Sequence, residues 1–149
     1  MQTNVDVLVD DDGDLVVDET GDLQLATPLE TCQQDVLFRI KTAHHDYEPD
    51  PFLGANLGKY KGKSNTRRTG DYMKADLHEA LVRDGRFSRG SIVVDCVPYS
   101  RTGVALVVFL KEAIEGTEQD VHDRMGEALV SVYVDLETGQ ISTIAGGLR

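Results

Sequence analysis

Apolar residues recur along this chain with two different periods, and the change of period divides it. Val5, Val7 and Val9 alternate with polar or less regular neighbours, and a short unit then repeats eight residues apart, Gly13-Asp14-Leu15 and Gly21-Asp22-Leu23. Each Gly follows polar residues and precedes an alternation (Leu15, Val17; Leu23, Leu25), the pattern of a turn followed by a strand. Residues 1–26 are therefore expected to form a small β-meander.

Thr27-Pro28-Leu29-Glu30 then combines capping-box spacing with Pro at the first helical position, where its missing N–H costs nothing. Leu29, Cys32, Val36, Ile40 and Ala43 follow at spacings of three and four, so a helix with one buried stripe is expected to about Ala43. Pro49, Pro51 and Gly54 forbid its continuation and favour a turn-rich segment from His44 to Leu57. A second helix is expected from Thr69 to Asp84, capped by Thr69 or Asp71, with Met73, Leu77, Ala80 and Leu81 buried and Gly85 closing its end.

The remainder is rich in Val and Ile and reads as four strands: 91–97, 104–110, 129–136 and 140–144, the last two forming a hairpin around Glu137-Thr138-Gly139. Residues 115–127 are highly charged and fit either a short helix or an excursion between strands. Segregated helices and strands without βαβ alternation imply an α+β fold, two helices packed on a mostly antiparallel or mixed four-stranded sheet. The chain, residues 1–149, is read as one domain with an acidic meander at 1–26, a basic loop at 58–70 and a hairpin at 129–144.

Composition supports a folded domain: of 149 residues 40% are hydrophobic and 28% charged. The formal net charge of −11 disfavours binding to nucleic acid, because such a field repels phosphate backbones. The charge is also uneven. Residues 1–30 hold nine acidic side chains (Asp6, Asp10, Asp11, Asp12, Asp14, Asp18, Glu19, Asp22, Glu30) and no Lys or Arg, whereas Lys59, Lys61, Lys63, Arg67 and Arg68 lie between Pro51 and Gly70 without an acidic neighbour. Two opposite poles suit a component that docks in fixed orientation between unlike neighbours; the plainer reading is a solvated acidic face and a mobile loop. Asp outnumbers Glu 17 to 9 and Arg outnumbers Lys 9 to 6, which fits a high-salt host or a GC-rich genome. Without a basic-then-apolar leader pattern or a membrane-length apolar run, a soluble protein made in a cytoplasm is expected, with Cys32 and Cys96 as reduced core residues.

Candidate chemistry is sparse. Asp10-Asp11-Asp12-Gly13-Asp14 offers clustered oxygens, but an EF-hand loop with Gly13 at its sixth place would begin at Leu8, which cannot ligate, so a polar turn is expected and no metal or other cofactor is assigned. His44 and His45 are adjacent and suit a helix C-terminus better than a shared metal. Asp46, Glu48 and Asp50 are the residues a peptidoglycan hydrolase would use, one carboxyl protonated and one ionised. The common nucleophile, phosphate-loop, zinc-protease and dinucleotide motifs do not occur. Arg39, in mid-helix, is expected to reach Asp46 or Glu48 as a clamp, or else to serve an interface.

Gly21-Asp22-Leu23, then Gln33 or Gln34, Arg39-Ile40-x-Thr42 and Asp50-Pro51-Phe52-x-Gly54-x-x-Leu57 together resemble the baseplate wedge, or sheath-initiator, family of contractile-tailed phages and related injection machines, often labelled lysozyme-like. Tyr47 matches the family's aromatic position. His45-Asp46 stands where Gly-Glu is usual, which removes the glutamate on which a hydrolase role would rest. Met73 to Phe87, Ile92 to Asp95 and Ala105 to Val108 are similar to the family's second helix and sheet, so the resemblance spans about Asp14 to Leu110.

The resemblance implies a non-enzymatic virion component, six copies around a tail baseplate, each joining wedge proteins and the tube or hub to the first ring of sheath protein. Family members continue the sheath's strand-exchange mesh, and the 129–144 hairpin is the physical candidate for an augmented edge, with Val132, Val134, Leu136, Gln140, Ile141 and Ile144 toward sheath. Arg39, Asp46, Tyr47, Pro51, Phe52 and Gly54, with Lys59, Lys61, Lys63, Arg67 and Arg68, are the candidates for wedge or hub contacts. No nucleic-acid or membrane partner is expected. The alternatives are a tail peptidoglycan hydrolase and an adaptor of a non-contractile tail or secretion system.

Overall fold

The computed structural model describes residues 6–10, 12–111 and 128–144. Asp11 and the segment 115–127, for which helix and excursion were both open, lie outside the described residues.

Helix α1 (Pro28–Lys41) begins at the expected capping box: the Thr27 hydroxyl accepts from the Glu30 amide at 3.2 Å and the Glu30 carboxylate accepts from the Thr27 amide at 3.1 Å. Its inner face buries Cys32, Val36 and Ile40. It stops two residues before Ala43, where Thr42 turns extended while its amide and hydroxyl still bond the Phe38 carbonyl.

Helix α2 (Arg67–Val82) starts earlier than expected, because Thr66, and neither Thr69 nor Asp71, supplies the cap: its hydroxyl accepts from the Thr69 amide at 3.2 Å. Arg67 and Arg68 therefore belong to the helix's first turn and not to a loop. Much of the remaining basic segment is structured too. Leu57–Tyr60 forms a 3-10 turn with Leu57 and Tyr60 buried, and the Gly62 amide donates to the Leu136 carbonyl at 2.6 Å.

The sheet is wholly antiparallel, in the order β1 (Ile92–Pro98), β2 (Gly103–Leu110), β3 (Val130–Asp135) and β4 (Ile141–Thr143). Its pleat sends Val94, Leu106, Val108, Val132 and Val134 toward the helices, where they meet Ile40, Met73, Leu77, Leu81 and Phe87 in one core. The fold is thus α+β, as the order of periods implied. Gly70 lets α2 approach β1 closely: a Cβ there would sit 3.2 Å from Cys96 Sγ. Cys32 is fully buried and Cys96 half-buried, and burial pushes the Cys96 thiol up.

The N-terminal segment is a meander of antiparallel bridges whose ends are also joined. Antiparallel bridges join Val9 to Leu15, Val17 to Leu23 and, closing the figure, Val7 to Leu25. The Val16 amide donates to the Leu8 carbonyl (3.2 Å), Gln24 to Val16 (2.9 Å) and Leu8 to Gln24 (2.8 Å), a closed cycle of three bonds. Closure gives the central amide and carbonyl of each short segment a partner. Both intervening turns are built alike: Asp10 Oδ1 accepts from the amides of Asp12 and Asp14, and Asp18 Oδ1 from those of Thr20 and Asp22. Gly13 and Gly21 supply the left-handed residue at φ 86° and 89°. The third repeat runs into Thr27 and α1 instead of turning.

Candidate functional site

Three surfaces hold the candidate residues, and each is positioned by a different element.

The first is the knuckle between α1 and the 3-10 turn. It folds back on the helix end, the Ala55 amide donating to the Arg39 carbonyl (2.9 Å) and the Asn56 amide to that of Thr42 (3.2 Å). Gly54 is required here: its φ is 94°, and a Cβ would overlap the Thr42 carbonyl. Asp46 Oδ2 accepts from the Ala43 amide at 3.0 Å, and the His45 amide donates to the Pro51 carbonyl at 2.6 Å. The loop so held presents Tyr47 and Phe52, 48% and 59% exposed, with the Phe52 ring edge-on to His44 at 5.7 Å. Pro51 is half-buried beneath them. Rigid, exposed aromatics on a braced loop are what an interface anchor needs.

Asp50 is bidentate to Arg83 at 2.8 and 2.9 Å, and that pairing holds its carboxyl below the usual range.

Arg39 does not reach Asp46 or Glu48. Its side chain turns inward, bonding Asp84 (3.0 and 2.5 Å), Asp35 (3.3 Å) and the carbonyls of Ala80 and Leu81. The reason is geometric: α1 packs against the end of α2, whose last carbonyls and Asp84 lie across from it, while Asp46 is engaged by its own turn. Burial would push the Arg39 guanidinium down, but Asp84 and Asp35 reverse this and hold it above its ordinary value. Only 5% of the residue is exposed, so it braces two helices and has no surface to offer a partner.

The second surface is basic. Lys59 is paired with Asp76 at 2.8 Å, beside the Tyr60 hydroxyl, which donates to the same carboxylate. Among the described residues no ion pair takes up Lys61, Lys63, Arg67 or Arg68. Arg68 lies over the Tyr72 ring at 5.6 Å. Two arginines in a helix's first turn oppose its dipole, where acidic residues are favoured.

The third surface is the end of the sheet. Val132, Val134 and Leu136 are 0%, 1% and 2% exposed, so their side chains belong to the core and are not presented to a partner. Ile141 packs on the core from its margin, Ile144 is half-buried, and Gln140 is exposed. What remains available is backbone. The Ile144 amide bonds the Ser131 carbonyl and the Asp135 amide bonds the Gln140 carbonyl. By the alternation of an antiparallel ladder, the N–H and C=O groups of Ile141 and Thr143 therefore point away from β3, at the free edge.

Residues to which the sequence reading gave no contact prove central, Gln33 and Gln34 of the wedge-family pattern among them. Gln34 ties the N-terminal unit to α1, its amide oxygen accepting from Val9 N (2.8 Å) and its nitrogen donating to the Val7 carbonyl (3.2 Å). The adjacent Gln33 donates to the Leu129 carbonyl at 3.2 Å. Asp35 lies four residues before Arg39, a pairing that helical spacing alone signals; Asp84 and Arg83 carried no such signal.

Among the described residues no group of three or more His, Cys, Asp or Glu side chains is placed to hold a metal, and no helix is long and apolar enough to cross a membrane. Comparison of the chain with family models, curated proteins and solved structures returned no match.

Proposed function

We propose that this protein is a structural component of a contractile tail baseplate wedge, a sheath initiator that links wedge or hub proteins to the first ring of tail sheath protein. The observation that carries the reading is β4: a three-residue edge strand whose outward backbone groups at Ile141 and Thr143 have no strand partner among the described residues. A sheath strand added there gains main-chain bonds without disturbing the core behind β3. The resemblance of Gly21 to Leu57 to the wedge family supports the same reading, and the braced Tyr47–Phe52 knuckle suits a wedge or hub contact on another face.

Thr143→Pro tests it. The substitution removes an outward N–H and leaves the β3–β4 bonds of Ser142 and Ile144 in place, so circular dichroism should be unchanged. Sheath polymerisation on baseplates carrying the variant should fail. Normal sheath growth on such baseplates would refute initiation through this edge.

A further inference from the structure

The N-terminal unit is too small to have an interior. Its closed cycle leaves Leu15, Val17, Leu23 and Leu25 exposed at 59%, 55%, 48% and 59%, four large aliphatic side chains on two of its three short segments. Single exposed apolar residues need no explanation, but a cluster rimmed by polar residues marks an interaction surface. Its rim is acidic: Asp14, Asp18, Glu19 and Asp22 are all exposed in its two turns. The unit is also held rigidly, by Gln34 on α1 and by the Asp10 and Asp18 turns, so little is lost in ordering it.

The same molecule carries the complement of this surface. Lys61, Lys63, Arg67 and Arg68 are all exposed, and Arg68 lies over the ring of Tyr72, which is 51% exposed, and donates to its hydroxyl at 3.2 Å. Asn65 ties this region to the β1–β2 turn through the carbonyls of Ser100 and Gly103, which brings the 51%-exposed Tyr99 to the same end. Asp71, one residue before Tyr72, and Glu137, two residues before the Gly139 that lies against Lys61, lessen the patch's positive surplus without cancelling it.

The two surfaces cannot meet within one copy. Gln33 and Gln34 place the acidic unit beside Leu129, at the start of β3, while Gly62 bonds Leu136 at its other end. The six residues of β3 between them span about 20 Å.

We propose that the acid-rimmed aliphatic surface of one copy docks on the base-rimmed aromatic surface of a second copy of this chain, head to foot. Such a contact is heterologous: a pair of copies keeps one unused head and one unused foot, so repetition makes a ring or a filament. The net charge of −11 does not forbid it. At about 0.1 M salt the Debye length is about 10 Å, shorter than the distance between the poles, so the facing patches dominate over the distant like charges. The proposal does not depend on a baseplate role, and either can fail alone.

Sedimentation velocity on the purified chain over a wide concentration range tests it, with two folded variants. Arg67→Glu with Arg68→Glu abolishes the foot and suits the helix dipole; Leu15→Ser with Leu25→Ser abolishes the head at exposed positions. The wild type should self-associate at about 0.1 M NaCl and weaken about tenfold in about 0.5 M. Each variant alone should be monomeric, with circular dichroism as for wild type. An equimolar mixture should form a heterodimer and nothing larger, since one variant keeps its head and the other its foot. A wild type that stays monomeric throughout, a variant that associates like wild type, or a mixture that does not pair would each overturn the proposal.

Discussion

Replacing Arg39 by Ala probes how the two helices are held. The guanidinium is 6% exposed and faces Asp35 and Asp84, whose side chains are 20% and 48% exposed. Breaking a fully buried pair costs about 3–5 kcal/mol, but Asp84 can rehydrate once its partner is gone, which puts the loss at the low end, about 3 kcal/mol. For a chain of this length that corresponds to about 6–12 °C in melting temperature. Arg39→Lys keeps the charge and loses the fork, so it should recover only about half. The chain has no Trp, so urea unfolding followed by far-ultraviolet circular dichroism is the direct assay. Acid supplies an independent check. The bond from Arg39, opposed by partial burial, holds the Asp84 carboxyl below its ordinary value. A group depressed in the folded state contributes stability above its unfolded pKa of about 3.9, lost as pH falls through the folded value. The gap between wild type and Arg39→Ala should therefore narrow below about pH 4. A neutral-pH difference under about 1 kcal/mol, or a gap that ignores acid, would refute the brace.

Two further substitutions test the surfaces' supports. Gln34→Ala should speed hydrogen exchange at the Val9 amide and cost about 1 kcal/mol, while the Leu8–Val16–Gln24 cycle persists; unchanged exchange at Val9 would show that the amide clamp is not formed in solution. Gly54→Ala forces a Cβ onto the Thr42 carbonyl at a left-handed backbone position and should destabilise by about 2 kcal/mol or more in urea unfolding, whereas a neutral variant would contradict the knuckle's geometry. The Thr143→Pro sheath assay and the head-and-foot mixing experiment complete the set.

Much of the fold is readable from local chemistry because local chemistry causes it. Thr27-Pro28-x-Glu30 starts α1 through bonds within one turn, and Val/Ile-rich alternation makes β1 to β3, whose pleat assigns inside and outside residue by residue. The eight-residue recurrence of Gly-Asp-Leu is likewise visible as two turns, since each Asp closes its own loop.

What tertiary structure alone decided are the relations between segments distant in sequence. The third N-terminal segment returns to the first, closing the expected meander into a ring, because the unpaired backbone of Leu8 and Gln24 meets only in three dimensions. Arg39 chose Asp84, 45 residues away, over nearby Asp46, because helix packing set the distance and the turn at Ala43 had already engaged Asp46. Val132, Val134 and Leu136 read as hairpin residues available to a partner, yet β4 beyond them makes β3 an interior strand and commits them to the core. Charge was legible as a count along the chain. Its meaning as two surfaces at opposite ends of one sheet, each with exposed apolar side chains at its centre, arises only when folding sets those ends apart.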